Sequence, residues 1–142
     1  MAKTSDLLSK LNSVQGSHEL NNYIKSLDND GISPTFAGYI SYMIQTGELS
    51  KSEVISRSLI ERTYGYQIIN GTKKAGRDKI IALCMAADME LDEVQRGLEI
   101  GKEGILYPRD PRDSLIIYAV NHHYTVRRLN DLLTEYGLGI LE

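Results

Sequence analysis

Leu49-Ser50-Lys51-Ser52-Glu53-Val54-Ile55-Ser56-Arg57-Ser58-Leu59-Ile60-Glu61-Arg62-Thr63-Tyr64-Gly65-Tyr66-Gln67-Ile68-Ile69-Asn70-Gly71 is the stretch on which the fold turns. Ser50 to Glu53 carries the pattern of a capping box, in which a serine hydroxyl and a glutamate carboxylate satisfy each other's orphan backbone donors. Val54 and Ile55 follow as core residues of a short helix over 50–57. A brief turn over 58–61 separates it from a second helix over 62–70, with Ile68 and Ile69 facing inward and Gly71 beyond its end. Two short helices joined by a tight turn have the spacing of a helix-turn-helix.

Helical periodicity continues on both sides. Upstream, Leu7, Leu8 and Leu11 share a face of a helix begun near Ser5. Leu20, Tyr23, Ile24 and Leu27 repeat at helical spacing after Ser17, a residue suited to an N-cap. Asp28 to Gly31 is a turn signal. Ser33-Pro34 then reads as N-cap and first residue of a third helix with the stripe Phe36, Ile40, Met43 and Ile44, and Gly47 as its stop. Downstream, helices are predicted over Arg77–Ala87 and Leu91–Ile100, the latter stopped by Gly101. Another opens at Asp110-Pro111 and runs to about Asn121, and a last one is capped by Thr125 and ends at Gly137. No segment alternates as a strand would, so the expected fold class is all-α.

The chain partly repeats itself at an offset of 35 residues. Arg77-Asp78-Lys79-Ile80-Ile81 matches Arg112-Asp113-Ser114-Leu115-Ile116. Leu91, Val94 and Leu98 match Val126, Leu129 and Leu133, and Gly104-Ile105-Leu106 matches Gly139-Ile140-Leu141. The expectation is a helical hairpin used twice and stacked as in a short solenoid.

With 142 residues, 42% of them hydrophobic, the chain is long enough for a real core. Its formal net charge of −3, taken as a sum, argues against nucleic acid, but the charge is unevenly spread. Residues 51–79 carry seven Lys or Arg against three acids, a net +4, whereas residues 88–103 are net −4. A basic stretch beside an acidic one suggests one face for an anionic partner and another turned away from it. A single cysteine, Cys84, excludes an internal disulfide and reads as a small core residue. No apolar run approaches a membrane span and no signal peptide is evident, so the cytoplasm is the expected compartment. His122-His123 lacks metal-ligand spacing and reads as a capping or surface pair. No nucleophile–base pair, phosphate loop or metal motif is found, so no enzyme and no cofactor are expected. Nine tyrosines stand against one Phe and no Trp. Such amphipathic rings suit either a wet interface or the edges of a core.

Leu49-Ser50-Lys51-Ser52-Glu53-Val54, Tyr64-Gly65-Tyr66-Gln67-Ile68-Ile69-Asn70-Gly71, Arg77-Asp78-Lys79-Ile80-Ile81-Ala82-Leu83 and Met89-Glu90-Leu91-Asp92-Glu93-Val94 together resemble the phage-repressor/Cro (XRE) family over about residues 35–100. With runs such as Leu106-Tyr107-Pro108-Arg109, the whole chain resembles a bacterial group of that family with a carboxyl-terminal extension. The resemblance implies a five-helix XRE/Cro-like core over residues 33–104, an N-terminal helical segment over 1–31, and an appended C-terminal helical hairpin over 105–142. In that family the second helix of the motif enters the major groove and the first crosses the phosphate backbone.

The implied function is a sequence-specific transcriptional regulator that binds double-stranded DNA as a homodimer. The extra helices are then available for dimerisation or for a protein partner on the C-terminal hairpin. By position, Arg62, Thr63 and Gln67 fall where side chains reach base edges. Lys51, Tyr66, Asn70, Thr72, Lys73 and Lys74 fall where the backbone is gripped. Arginine can pair bidentately with guanine and glutamine with adenine, while lysines add sequence-independent affinity. Tyr64 suits either a sugar contact or the core. The chain departs from the family pattern at Ile55, where a small residue is usual, at Leu59, where glycine is usual, and at Gly65, where an aliphatic side chain is usual. Room left at Gly65 is expected to accommodate Ile55. Glu61 would meet phosphate unfavourably unless paired with Arg57 or Arg62. These departures motivate the alternative of a helical protein-interaction adaptor that keeps the fold without DNA binding.

Overall fold

The computed structural model describes residues 35–142. Seven helices account for the regular structure of that span: α1 Phe36–Thr46, α2 Lys51–Ser58, α3 Arg62–Ile69, α4 Arg77–Ala86, α5 Leu91–Ile100, α6 Pro111–Asn121 and α7 Val126–Glu135. No strand occurs among the described residues. The helices expected after Ser5 and Ser17 lie outside the described residues.

Helix starts follow local chemistry. Thr35, not Ser33, caps α1: its hydroxyl accepts from the Gly38 N–H at 3.2 Å, so Phe36 is the first helical residue. Ser50 caps α2 by accepting from the Glu53 N–H at 3.0 Å. Only half of the expected capping box forms there, because the Glu53 carboxylate turns to Arg57 at 2.8 Å. Asp110 and Thr125 cap α6 and α7 by accepting from the Asp113 and Arg128 N–H groups. The Glu93 carboxylate closes the start of α5 by accepting from the Glu90 N–H.

Helix stops follow a second rule. After α1, the Leu49 N–H donates to Ile44 O and the Glu48 N–H to Gln45 O, the paired bonds of a Schellman stop. The same pair recurs at Met89 and Asp88 after α4, and at Tyr124 and His123 after α6. The left-handed residue is therefore Glu48, Asp88 or His123 rather than glycine. Gly47 and Gly101, expected as the left-handed stops, sit one residue too early, at φ −80° and −75°. At α1 the reason is apolar: Leu49 packs against the core from the position just after Glu48.

One hydrophobic core runs through all seven helices, from Phe36 to Leu133. Its axis is α4, buried continuously from Ile80 to Ala86, which explains a sequence apolar on all sides. Helices α1, α2, α5 and α7 pack on it. Gly97 lets α1 come close to α5: a Cβ there would lie 3.4 Å from Tyr39 Cε2 and 3.5 Å from Phe36 Cε1. The buried Tyr39 hydroxyl donates to Glu93 O at 2.9 Å. Burial raises its pKa, so the phenol stays protonated and keeps that bond.

The sequence repeat is a repeat of atomic contacts. Arg77 Nε donates to Gly104 O and Nη2 to Ile105 O; 35 residues later, Arg112 Nε donates to Gly139 O and Nη2 to Ile140 O. Each arginine thus ties down the exit of its own hairpin. The Gln95 side chain accepts from the Leu106 N–H, as that of Asn130 does from Leu141. Between the copies the contacts are exchanged. Arg77 forks onto Asp113 at 2.9 and 2.8 Å, and Arg112 forks onto Asp78 at 3.0 and 2.9 Å. Tyr107 N–H donates to Asp113, and Glu142 N–H to Asp78. Helix α4 packs on α7 while α5 packs on α6. Reciprocal contact of this kind belongs to a two-fold relation. A solenoid would instead repeat one contact along a direction, so the expected solenoid stacking is replaced by a pseudo-two-fold pair of hairpins.

Candidate nucleic-acid interface

On α3 the burial pattern separates two faces. Gly65, Ile68 and Ile69 are buried, while Arg62, Thr63 and the C-cap residue Asn70 are exposed and Tyr66 and Gln67 are half-exposed. Positions 62, 63, 66, 67 and 70 form one continuous outward stripe at helical spacing. Within the stripe the Arg62 guanidinium carbon lies 5.7 Å from the Tyr66 ring centroid. Lys51 is exposed at the first position of α2.

Beyond the stripe, Gly71 turns the chain at φ 84°. The N–H groups of Thr72 and Lys73 then donate back to Gln67 O at 2.8 and 3.1 Å. That clamp fixes the loop while Thr72, Lys73 and Lys74 remain exposed. Of the predicted residues, Arg62, Thr63, Tyr66, Gln67 and Asn70 are therefore on one face, with the loop lysines at its far end.

The three departures from the expected pattern have structural answers. A Cβ on Gly65 would lie 2.6 Å from Ile55 Cγ2, so the missing side chain is filled by Ile55, which is only 2% exposed. Leu59 adopts φ 63° and ψ 11°, the left-handed conformation at which glycine is unstrained. Ser58 supports the turn: its buried hydroxyl donates to Ile55 O and accepts from the Ile60 N–H.

Glu61 pairs with neither Arg57 nor Arg62 in the way expected of it. Its carboxylate accepts from the Thr63 N–H at 3.1 Å and the Tyr64 N–H at 2.8 Å, capping α3. Those backbone bonds hold its carboxyl below the usual glutamate pKa. The amides that would otherwise greet an anion at the start of α3 are thus occupied by the chain's own carboxylate.

The basic window is also thinner than its count. Arg57 is paired with Glu53, and Arg77 is committed to Asp113 with 27% of its side chain exposed. The Lys79 ammonium lies 5.4 Å from the Tyr64 ring centroid, and Tyr64 packs against the core. Lys51, Arg62, Lys73 and Lys74 are the predicted cations that remain outward. The role of Arg77 is not legible from its neighbours in sequence, although the repeated Arg-Asp pair at 77 and 112 is a signal for it. A local charge count cannot distinguish a surface cation from one clamped by an acid 36 positions away.

The appended hairpin borders the motif without covering the stripe. A cleft of about 420 Å³ is lined by the α2–α3 turn, Tyr64, the start of α4, α7 and the last residues Leu141 and Glu142. Arg62, Thr63 and Gln67 are not among its walls. No helix among the described residues is long and apolar enough to cross a membrane. No protein-family model matches the chain, and neither the curated proteins nor the solved structures yield a match.

Proposed function

We propose that this chain is a sequence-specific regulator of the XRE type that reads double-stranded DNA with α3 in the major groove. The observation that carries the reading is the single outward stripe of Arg62, Thr63, Tyr66, Gln67 and Asn70 with Lys73 and Lys74 at its end. Side chains able to pair with base edges stand between groups able to hold phosphates, which is the division of labour a groove-reading helix needs. Lys51 at the start of α2 is the matching contact from the first helix of the motif. With Arg57 and Arg77 internally paired, non-specific affinity is modest and the base contacts decide occupancy. One module reads a half-site, so the working form is a homodimer on a two-fold operator.

Selection of bound fragments from random duplex DNA tests this directly, and an enriched palindrome is the expected result. Lys73→Ala with Lys74→Ala should weaken binding to all sequences alike and reduce the salt slope by about 2. Arg62→Ala should cost about 1–3 kcal/mol and relax the preference at one base pair. No binding at low salt, or binding untouched when Arg62→Ala, Lys73→Ala and Lys74→Ala are combined, would defeat the proposal. The Glu61 cap favours a second reading, a protein-interaction adaptor that keeps the helical motif. Its mark is absence of DNA binding at low salt together with a co-purifying protein partner.

A further inference from the structure

The two hairpins are alike where they meet and unlike on their outer faces. In the first, Leu83, Ala87 and Met89 are buried, and α1 lies across Gly97 through Phe36 and Tyr39. The corresponding residues of the second, 35 positions on, are Tyr118, His122, Tyr124 and Leu132. Tyr118 is 47% exposed, stacks on His122 at 4.0 Å between centroids and meets Tyr124 edge-on at 5.7 Å. The Arg128 guanidinium carbon lies 3.9 Å from the Tyr124 centroid. Among the described residues, no helix lies across this face as α1 lies across its counterpart.

The sequence before the described span repeats α1. Leu20, Tyr23, Ile24 and Leu27 stand 16 positions before Phe36, Tyr39, Ile40 and Met43, and Gly31 stands 16 before Gly47. The match includes the Tyr-Ile pair whose counterpart in α1 is buried against the first hairpin. Residues 19–30 are net −2, with Asp28 and Asp30 at their C-terminal end, whereas α7 is basic at its start through Arg127 and Arg128 and carries its acids, Asp131 and Glu135, further on. The segment joins α1 at Thr35, which lines one cleft together with Ile100 and Gly101 at the end of α5, the helix that packs on α6.

We propose that residues 20–27 of the same chain dock as an amphipathic helix on the outer face of α6 and α7, in the place that α1 takes on α4 and α5. Leu132 stands where the first hairpin has Gly97, so the segment seats on the rings of Tyr118 and Tyr124 rather than against the helix backbone. Its acidic C-terminal end, Asp28 and Asp30, lies toward Arg127 and Arg128.

Amide hydrogen exchange on the full chain tests the seat. Residues 20–27 should be protected at least about tenfold relative to the free peptide. Ile24→Asp should abolish that protection and speed exchange over 118–128 while leaving α4 unchanged. A cross-link between Leu20→Cys and Leu132→Cys, the counterparts of Phe36 and Gly97, identifies the donor chain, since the native Cys84 is buried. A monomeric cross-link supports the proposal, and a dimeric one overturns it by assigning the segment to a second copy. Unprotected residues 20–27 in the unaltered chain overturn it, as does an Ile24→Asp effect that spares 118–128.

Discussion

At Gly65 the chain lacks a side chain, and at Ile55 it has a branched one; each is intelligible only through the other. A Cβ added to Gly65 would stand 2.6 Å from Ile55 Cγ2 and 3.1 Å from Cγ1. Gly65→Ala would gain helix propensity on an isolated helix, yet here it should destabilise the protein by about 1–3 kcal/mol through overpacking. Ile55→Ala alone should cost about 2–5 kcal/mol by leaving a cavity. It also removes both of the atoms that the added methyl group would strike, so the double variant should lose markedly less than the sum. Urea unfolding of the four proteins closes that cycle, and additive losses would refute the pairing. Both residues are visible in the sequence as departures from a pattern. Their mutual compensation is an expectation at that level and a direct proximity in the fold.

Between elements, the turn from α2 to α3 depends on Leu59 at φ 63°. A side chain in that conformation costs about 1–2 kcal/mol. Leu59 is 45% exposed and so returns limited burial. Leu59→Gly should therefore stabilise the protein by about 1 kcal/mol, read as a higher urea midpoint with unchanged slope. A lower midpoint would mean that its contacts along the cleft outweigh the strain. The existence and order of the described helices were legible because caps and apolar stripes act within three or four residues. Ser50, Asp110 and Thr125 cap where their chemistry says they should. The stops were less legible. Gly47 and Gly101 suggest themselves as left-handed residues, but Glu48 and Lys102 hold that conformation. After α1, what decides is the burial of Leu49 against the core, which is a tertiary contact.

At the scale of the molecule, two crossed Arg–Asp forks join the hairpins. Burial alone would raise the Asp113 carboxyl, but bonds from Arg77 and the Tyr107 N–H outweigh it and hold its pKa low. Asp78 is held low in the same way by Arg112 and the Glu142 N–H, against the opposing effect of burial. The native carboxylates therefore bind protons less readily than the unfolded ones do. Their stabilisation is present above the unfolded aspartate pKa, about 3.9, and fades as pH falls through the depressed native values. Thermal midpoints should accordingly drop below about pH 4. Asp113→Asn should weaken the fold near neutral pH by on the order of 2–3 kcal/mol. That is less than the loss of a fully buried pair, because Arg77 stays 27% exposed. The variant should also show a shallower acid dependence than the parent. An unchanged acid profile would remove the forks from the account of stability.

The residues alone determined that the described chain is helical, where its helices after α1 begin, which face of α3 is apolar, and that one hairpin is written twice. Each of these rests on spacing within a few residues, or on comparing the chain with itself. Only the tertiary structure decided that the hairpins face each other about a pseudo-two-fold rather than stack, because that depends on which aspartate each arginine reaches across 34 or 36 positions. It also decided that Glu61 spends its charge on the amides of α3 and that Arg77 is withdrawn from the basic surface. A sequence records charges in order, whereas the fold decides which of them neutralise one another and which remain to meet a partner.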